Sequence, residues 1–384
     1  MFKKILSLII LISLFAPAFS YAAFTSPEPL TTEEIQTIIS DGVIWLKNSQ
    51  EENGHFKYEY LPFEDRYLED DNIVRQAGAF FNLAEVAKHD LDDKYDLEIN
   101  LDRATKYFTG LSKKSTYKGK SFKCITNSKY SSSCKLGATS LALIGLLDFV
   151  ERYPENKKQL QPLINDYANY ILAMKKDNAG YRNTLNTRTS LSSEQESSFF
   201  NGEALYALVR YYQFKPSKNV RATIDDTFDY INSSAVPFDT ALYLWAMAAL
   251  KDMNELWPNQ KYVTYAKNYT TWRILSVSRL RESDHNLCAY IEGVTSAYTI
   301  LEPHVSTDLK KFYKNEINYW MNKSAELQLT EKNQKNFGAV IKNPTLAYGG
   351  FLTGKDNPTQ RIDFTQHCLS TYLQKLVDID GKTL

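Results

Sequence analysis

Residues 136–147 read LGATSLALIGLL, and residues 239–250 read DTALYLWAMAAL. At a period of 3.6 residues both stretches are apolar on nearly every face, which indicates buried helices. Ala and Gly are frequent in both stretches, so the backbones of neighbouring helices can approach closely. Because a buried helix has to be covered by other elements, the two stretches predict an inner set of helices enclosed by an outer set.

The rest of the chain supplies both sets, as about twelve helical segments that alternate in character. Six segments have the charged faces of solvent-exposed helices, at residues 31–49, 95–112, 157–176, 217–232, 260–280 and 306–327. The six that alternate with them are rich in Ala, Gly and Leu, at residues 72–88, 136–152, 200–213, 238–253, 286–301 and 362–377. Strand-like alternation of apolar and polar residues is not convincing anywhere.

Six outer and inner pairs predict an all-α fold, an (α/α)6 toroid in which every inner helix begins on the same rim. An open solenoid of helix pairs is the alternative, but it requires repeats of nearly constant length. The loops that precede the inner helices range from a few residues to roughly thirty, which favours a closed ring with a decorated rim.

The N-terminus has the layout of a secretory signal. Lys3 and Lys4 precede an apolar run at residues 5–15, and small residues follow around Ala22. We expect residues 1–22 to be a signal peptide and residues 23–384 to form one domain, because no linker-like segment divides them. An uncleaved anchor is the less favoured alternative, since the apolar run is shorter than the roughly 20 residues of a membrane span.

The charge balance argues against two classes of partner, and the cysteines predict two disulfides. The chain has 45 acidic and 45 basic residues, so it lacks the excess of basic residues expected for binding nucleic acid or an anionic membrane. Cys124 and Cys134 flank a short polar loop and are the first expected disulfide, which leaves Cys288 and Cys368 for the second. Four cysteines permit three connectivities, so other pairings stay open.

A resemblance to a known family rests on four stretches of sequence in and before the inner helices. They are NIVRQAGAFFNLAEV at 72–86, KLGATSLALIGLLDFV at 135–150, FFNGEALYALVRYY at 199–212, and GGF at 349–351 followed by RIDFTQHCLSTYL at 361–373. They resemble the six-hairpin, glycosidase-like (α/α)6 toroid proteins. The phrase NGEALYALVRYY is also loosely similar to the C-terminal helical domain of glucuronyl C5-epimerases. The resemblance implies a carbohydrate-binding cleft on the rim where the inner helices begin, and it carries over no catalytic residue.

Polar residues in the first turns of the inner helices form the candidate site. The expected catalytic residues are Asp71, Glu203, Asp363 and His367. A pair of carboxyl groups, here Asp71 with Glu203, can protonate a glycosidic oxygen and activate water. Asp363 and His367 are spaced i and i+4, so the carboxylate could support the imidazole in proton transfer. Helix capping for the acids and core packing for the histidine are the structural alternatives.

Other polar residues near the same rim are expected to contact substrate: Asp70, Arg75, Gln76, Glu196, Asn201, Asp239, Tyr290, Glu292 and Arg361. Arg75 and Arg361 would hold an acidic group if the substrate is a uronide. For Asp239, which follows Pro237, a helix start explains the residue equally well.

These features favour an exported glycoside hydrolase that needs no cofactor, with a polysaccharide lyase or uronate epimerase as the nearest alternative. A module that binds a glycan or peptide without turnover is a second alternative. A third is a zinc enzyme, since helical toroids also resemble the prenyltransferase β subunits and the lanthionine cyclases, and possible ligands are Asp284, Cys288, His367 and Cys368. Export favours a disulfide over zinc thiolates, and the His367-Cys368 order departs from the Cys-His order of the cyclases.

Overall fold

A computed structural model describes residues 27–233, 235–277, 287–337 and 340–384. The expected signal peptide and Asp284 lie outside these ranges. The helices are, in chain order, α1 (Thr32–Asn48), α2 (Ile73–His89), α3 (Glu98–Leu111), α4 (Leu136–Arg152), α5 (Lys157–Met174), α6 (Ser198–Phe214), α7 (Lys218–Ile231), α8 (Thr240–Leu256), α9 (Gln260–Val277), α10 (Leu287–Leu301), α11 (Thr307–Ala325), the short α12 (Pro344–Ala347) and α13 (Ile362–Gln374).

The inner helices form a closed ring, as predicted. In order, α2, α4, α6, α8, α10 and α13 each pack on the next, and α13 packs back on α2. This closure excludes the open solenoid. The outer helices α1, α3, α5, α7, α9 and α11 cover the ring, each packing against one or both of its inner neighbours.

Burial follows the sequence pattern that predicted the two rings. Helix α4 is buried at every position from Leu136 to Val150, whereas the outer helix α7 buries only one face. Gly145 of α4 shows why small residues are needed on the inner helices. A Cβ at this position would lie 2.8 Å from the ring of Phe80 and 3.2 Å from the Cα of Phe81 on α2. A larger residue would therefore push α2 and α4 apart.

Short strands decorate the loops, a feature that the sequence pattern did not predict. They are β1 (Glu59–Leu61), β2 (Arg66–Tyr67), β3 (Ser112–Tyr117), β4 (Lys120–Ile125), β5 (Ser133–Lys135), β6 (Thr184–Asn186) and β7 (Gln360–Arg361). The longest pair, β3 and β4, is an antiparallel hairpin whose two turn residues both have positive φ, 48° at Lys118 and 73° at Gly119. Strand β1 pairs with both β2 and β7, which joins the loop before α2 to the loop before α13.

Both expected disulfides form. Cys124 of β4 is bonded to Cys134 of β5, with their Cα atoms 5.7 Å apart. Cys288 of α10 is bonded to Cys368 of α13, with their Cα atoms 4.7 Å apart. The second bond leaves neither thiol to bind zinc, so the zinc alternative loses two of its four ligands. Within the described ranges, no helix is both long and apolar enough to cross a bilayer.

A glutamate is buried inside the ring. Glu85 of α2 is 8% exposed, and its Oε2 accepts a hydrogen bond from Ser370 Oγ of α13 at 2.6 Å. Burial raises the pKa of Glu85 to about 7, from 4.5 for an ordinary glutamate, although the hydrogen bond from Ser370 opposes the rise. The folded protein therefore holds this proton more tightly than the unfolded chain does.

We expect Glu85 to make the free energy of unfolding fall as the pH rises from 4.5 to about 7. In that window the folded state keeps a proton that the unfolded state has released, so the contribution of Glu85 declines by up to about 1.4 kcal/mol per pH unit. Glu85→Gln should remove this slope, which urea denaturation at a series of pH values measures. Glu52→Gln, at an exposed glutamate, is the control and should keep the slope. An unchanged slope in Glu85→Gln would mean that Glu85 is already ionised in the folded protein.

Candidate active site

A cavity of about 480 Å³ opens on the rim where the inner helices begin. First-turn residues of the inner helices supply most of its wall, and the outer helices α9 and α11 add residues near their C-terminal ends. The outer helices contribute there because they run antiparallel to the inner ones. Five residues expected from the sequence line the cavity: Arg75, Glu203, Tyr290, Asp363 and His367.

Glu203 is the buried acid of this cavity. It lies in the first turns of α6 at 3% exposure, and its Oε2 has no hydrogen-bond partner in the described part of the protein. Burial raises the pKa of Glu203 well above its ordinary value, because a buried site disfavours the charged carboxylate. Gly137 of α4 makes room for it, because a Cβ at that position would lie 2.4 Å from Oε2 of Glu203.

His367 is paired with a buried glutamate from the neighbouring inner helix. Its Nδ1 lies 2.7 Å from Oε2 of Glu292, which is 2% exposed. Burial raises the pKa of Glu292, and the neighbouring imidazole opposes that rise. The contact places the Nδ1 proton towards Glu292, which leaves Nε2 as the nitrogen available to a substrate. The expected partner of His367 was Asp363, and that expectation is wrong.

Asp363 is instead held by two arginines. Arg361 donates to its Oδ1 from Nε at 3.0 Å and to its Oδ2 from Nη2 at 2.7 Å, and Arg75 Nε lies 3.0 Å from Oδ2. Tyr58 lies beneath both guanidinium groups, whose Cζ atoms are 5.6 Å (Arg75) and 5.5 Å (Arg361) from its ring centroid. The charges of Arg75 and Arg361 therefore hold Asp363 in place. We had expected these two arginines to be free to bind an acidic sugar.

Asp71 does not line the cavity. Its carboxylate accepts hydrogen bonds from Gln76 Nε2 at 2.8 Å and from the backbone N–H of Asn72 at 2.7 Å, and lies 3.3 Å from His55 Nε2. Burial opposes ionisation, but these contacts lower the pKa of Asp71 below its ordinary value. Asp70 next to it is exposed. Both residues belong to the loop that leads into α2.

Gln76 and Asn201, expected to bind substrate, instead anchor the loops that precede their own helices. Oε1 of Gln76 accepts from the backbone N–H of Phe56 at 2.8 Å, and Oδ1 of Asn201 accepts from that of Tyr181 at 2.9 Å. Thr365 does the same for Phe351 at 3.1 Å. The polar first turns of three inner helices thus hold the preceding loops in place.

Glu196 and Asp239 also have structural partners. Burial would raise the pKa of Glu196, but hydrogen bonds from Asn178, Lys176, Tyr230 and Asn201 lower it to about 2. Asp239 caps α8, since its Oδ1 accepts from two backbone N–H groups at 2.8 Å each. Neither residue lines the cavity, so capping and loop anchoring account for both.

Two cations and several aromatic residues line the cavity but were not predicted as site residues from the sequence: Lys135, Arg273, Phe199, Phe200, Tyr243, Trp245 and Trp320. Arg273 and Trp320 lie on outer helices, which we had treated only as a cover. The antiparallel packing of outer on inner helices was the available signal, because it places the C-terminal ends of the outer helices at the rim that carries the cavity. The Trp245 ring lies 6.0 Å from that of His367.

Comparison with known proteins adds to the evidence on the fold. No protein-family model and no curated protein matches the chain. Similar solved structures include a sugar epimerase from a ruminal bacterium, with a TM-score of 0.63, 12% identity and coverage of 92% of this chain and 100% of the epimerase. A GH76 α-mannanase from Bacteroides thetaiotaomicron has a TM-score of 0.60 and 11% identity, with 90% and 96% covered. An unsaturated glucuronyl hydrolase specific for heparin has a TM-score of 0.59 and 12% identity, with 92% and 100% covered.

These proteins differ in activity but share one architecture with this chain over nearly their whole length. At such low sequence identity the likeness concerns the fold. The chain has the (α/α)6 toroid fold that these structures share.

Proposed function

We propose that this protein is a carbohydrate-active enzyme, a glycoside hydrolase in which Glu203 is the general acid. The observation that carries the proposal is the buried carboxyl group of Glu203, which lies at the cavity wall with Oε2 unpartnered among the described residues. A general acid must hold its proton at the working pH, and the raised pKa of Glu203 provides this. It would protonate the oxygen of the glycosidic bond as that bond breaks.

His367 is the proposed general base. Its Nδ1 is engaged by Glu292, so Nε2 can take a proton from the water that attacks the anomeric carbon. Glu292 lies 2.7 Å from Nδ1 on the other side of the ring and holds the imidazole in place during this transfer. We assign Asp363 a positioning role, since both of its oxygens already bind guanidinium groups.

Aromatic residues of the cavity wall suit a sugar substrate. Tyr243, Trp245, Tyr290 and Trp320 line the cavity together with Phe199, which is 49% exposed. Rings of this kind pack on the apolar faces of sugars, while the polar groups at the helix starts bind hydroxyl groups. The sugar-directed names of the similar structures support the same substrate class.

A sugar epimerase or lyase is the second candidate, favoured by the contact between His367 and Glu292. An imidazole supported by a carboxylate can also abstract a proton from carbon, and the protonated form of Glu203 can donate one in return. The fold is compatible with this chemistry, since a sugar epimerase is among the similar structures.

One assay in deuterated water separates the candidates. The purified chain is incubated with neutral and acidic oligosaccharides, and the products are analysed by mass spectrometry and NMR. The proposed hydrolase yields new reducing ends without deuterium on sugar carbon. An epimerase yields carbon-bound deuterium without new reducing ends, a lyase yields unsaturated ends, and binding without any product indicates a binding module. Each of the last three outcomes contradicts the hydrolase proposal.

Export through the N-terminal signal is part of the same proposal. The two disulfides support it, because such bonds persist in oxidising compartments. The mature chain should then begin near Ala23. The intact mass of protein recovered outside the cytoplasm tests this expectation, and a mass that retains residues 1–22 would contradict it.

A further inference from the structure

One arginine of the cavity wall lacks a charge partner among the residues that the structure describes. Arg273, on the outer helix α9, is 7% exposed and lines the cavity. Its guanidinium makes one long hydrogen bond, from Nη1 to Ser276 Oγ at 3.4 Å, and its Cζ lies 4.7 Å from the ring centroid of Tyr290. Nε has no hydrogen-bond partner among the described residues.

Other buried arginines of this protein are paired with acids. Arg210 donates to Asp148 at 2.6 Å, and Arg182 donates to Glu194 at 2.9 Å. A buried charge is costly unless an opposite charge or hydrogen bonds compensate it. Within the described ranges, no carboxylate lies within ion-pair distance of Arg273. A ligand that enters the cavity could supply the missing negative charge.

The charge of the whole cavity wall agrees with this conclusion. Its lining includes three permanent cations, Arg75, Lys135 and Arg273, and two carboxyl groups, Glu203 and Asp363. The three cations therefore outnumber the two carboxyl groups, and burial disfavours the charged form of one of these, Glu203. Clefts lined by one sign of charge attract ligands of the opposite sign.

We infer that the cavity binds a sugar carrying an oxyanion substituent, a carboxylate or a sulfate ester, and that Arg273 is the residue that binds this group. The inference rests on the proposed function for its sugar substrate and adds the charge of that sugar. It also changes our expectation for Arg75 and Arg361, since both already bind Asp363 and Arg273 does not. Arginine suits the role because its planar N–H groups match an oxyanion.

The test compares the binding of charged and neutral sugars by the full-length chain. Glu203→Gln is used as the background, because glutamine cannot donate the proposed catalytic proton and keeps the size of the side chain. The probes are methyl glucuronide, methyl glucoside and glucose 6-sulfate, titrated by calorimetry. We expect a charged probe to bind roughly 10- to 100-fold more tightly than methyl glucoside, the range typical of hydrogen bonds to charged groups. The charged probe that binds more tightly identifies the substituent as carboxylate or sulfate.

Arg273→Met should abolish the preference for a charged probe over methyl glucoside. Arg182→Met is the matched control, since it removes another buried guanidinium outside the cavity wall and should keep the preference. If Arg273→Met does not fold, Arg273→Lys provides the test and should weaken the preference while retaining the charge. Equal binding of charged and neutral probes, no binding of either charged probe, or an intact preference in the Arg273 variants overturns the inference.

Failure of the inference about Arg273 can be distinguished from failure of the proposed function. Turnover of neutral glycans without preference for charged probes would contradict the role of Arg273 and leave the hydrolase proposal standing. A charge preference that depends on Arg273, in a protein without turnover, would support the role of Arg273 and contradict the hydrolase proposal.

Discussion

Replacing Glu203 with glutamine should lower kcat/KM for glycan hydrolysis by about 10²- to 10⁴-fold, the usual contribution of a general acid. Glutamine keeps the size of the side chain and, like the protonated glutamate, carries no charge, so the fold and substrate binding should persist. The variant lacks only the proton that Glu203 would donate to the glycosidic oxygen. Initial rates on the best substrate found in the product assay measure the effect, and circular dichroism verifies folding.

The pH profile distinguishes the loss of an acid from a loss of packing. The wild-type rate should fall as the pH rises through the raised pKa of Glu203, because only its protonated form can donate. Glu203→Gln should lack this alkaline limb. Glu194→Gln, at an exposed glutamate in the loop before α6, is the control and should keep both rate and profile. A Glu203→Gln enzyme with wild-type kcat would refute the assignment.

Gly137→Ala offers an independent perturbation of the same group. The added methyl would lie 2.4 Å from Oε2 of Glu203 and 2.5 Å from the ring of Phe200, so the carboxyl group must move. The substitution leaves the acid present but displaced, and the rate should fall while the protein still folds. An unaffected rate would mean that the position of Glu203 is not critical.

Removal of His367 should have the second large effect. His367→Asn should lower kcat/KM by about 10²- to 10⁴-fold, because it removes the proposed base, and added imidazole should restore part of the rate. Glu292→Gln should lower the rate less, since the imidazole remains but loses its supporting charge. Because the two side chains act as one unit, the double variant should be little worse than His367→Asn alone.

Ser296→Ala is the matched control for these variants. Ser296 also lies on α10 and makes a buried polar contact with α13, through Gln374 at 3.1 Å, but it does not line the cavity. Its loss should affect stability slightly and turnover not at all. Additive effects of His367→Asn and Glu292→Gln, or no rescue by imidazole, would contradict the assigned unit.

The fold could be predicted because its main determinants are local. The apolar run of α4 identifies an inner helix without reference to the rest of the chain, and the alternation of buried and amphipathic helices then limits the architecture to few choices. The β3–β4 hairpin was missed because its short strands, with mixed polar residues, lack a clear two-residue pattern at this length.

The site was only partly predictable, because its contacts join residues far apart in the chain. Glu203 and His367 both line the cavity. The partner of His367, however, is Glu292, which lies 75 residues away in sequence. Nothing local distinguishes Asp71, which binds the preceding loop, from Asp363, which lines the cavity. Arg273 was missed since it lies on an outer helix, where a charged residue usually faces solvent.

The bond between Cys288 and Cys368 has a consequence for the proposed base. Cys368 directly follows His367, and Cys288 lies one helical turn before Glu292. The covalent crosslink therefore ties together the two backbone segments whose separation sets the distance from imidazole to glutamate. Oxidation of these two thiols therefore holds the proposed base beside its glutamate as well as linking two inner helices.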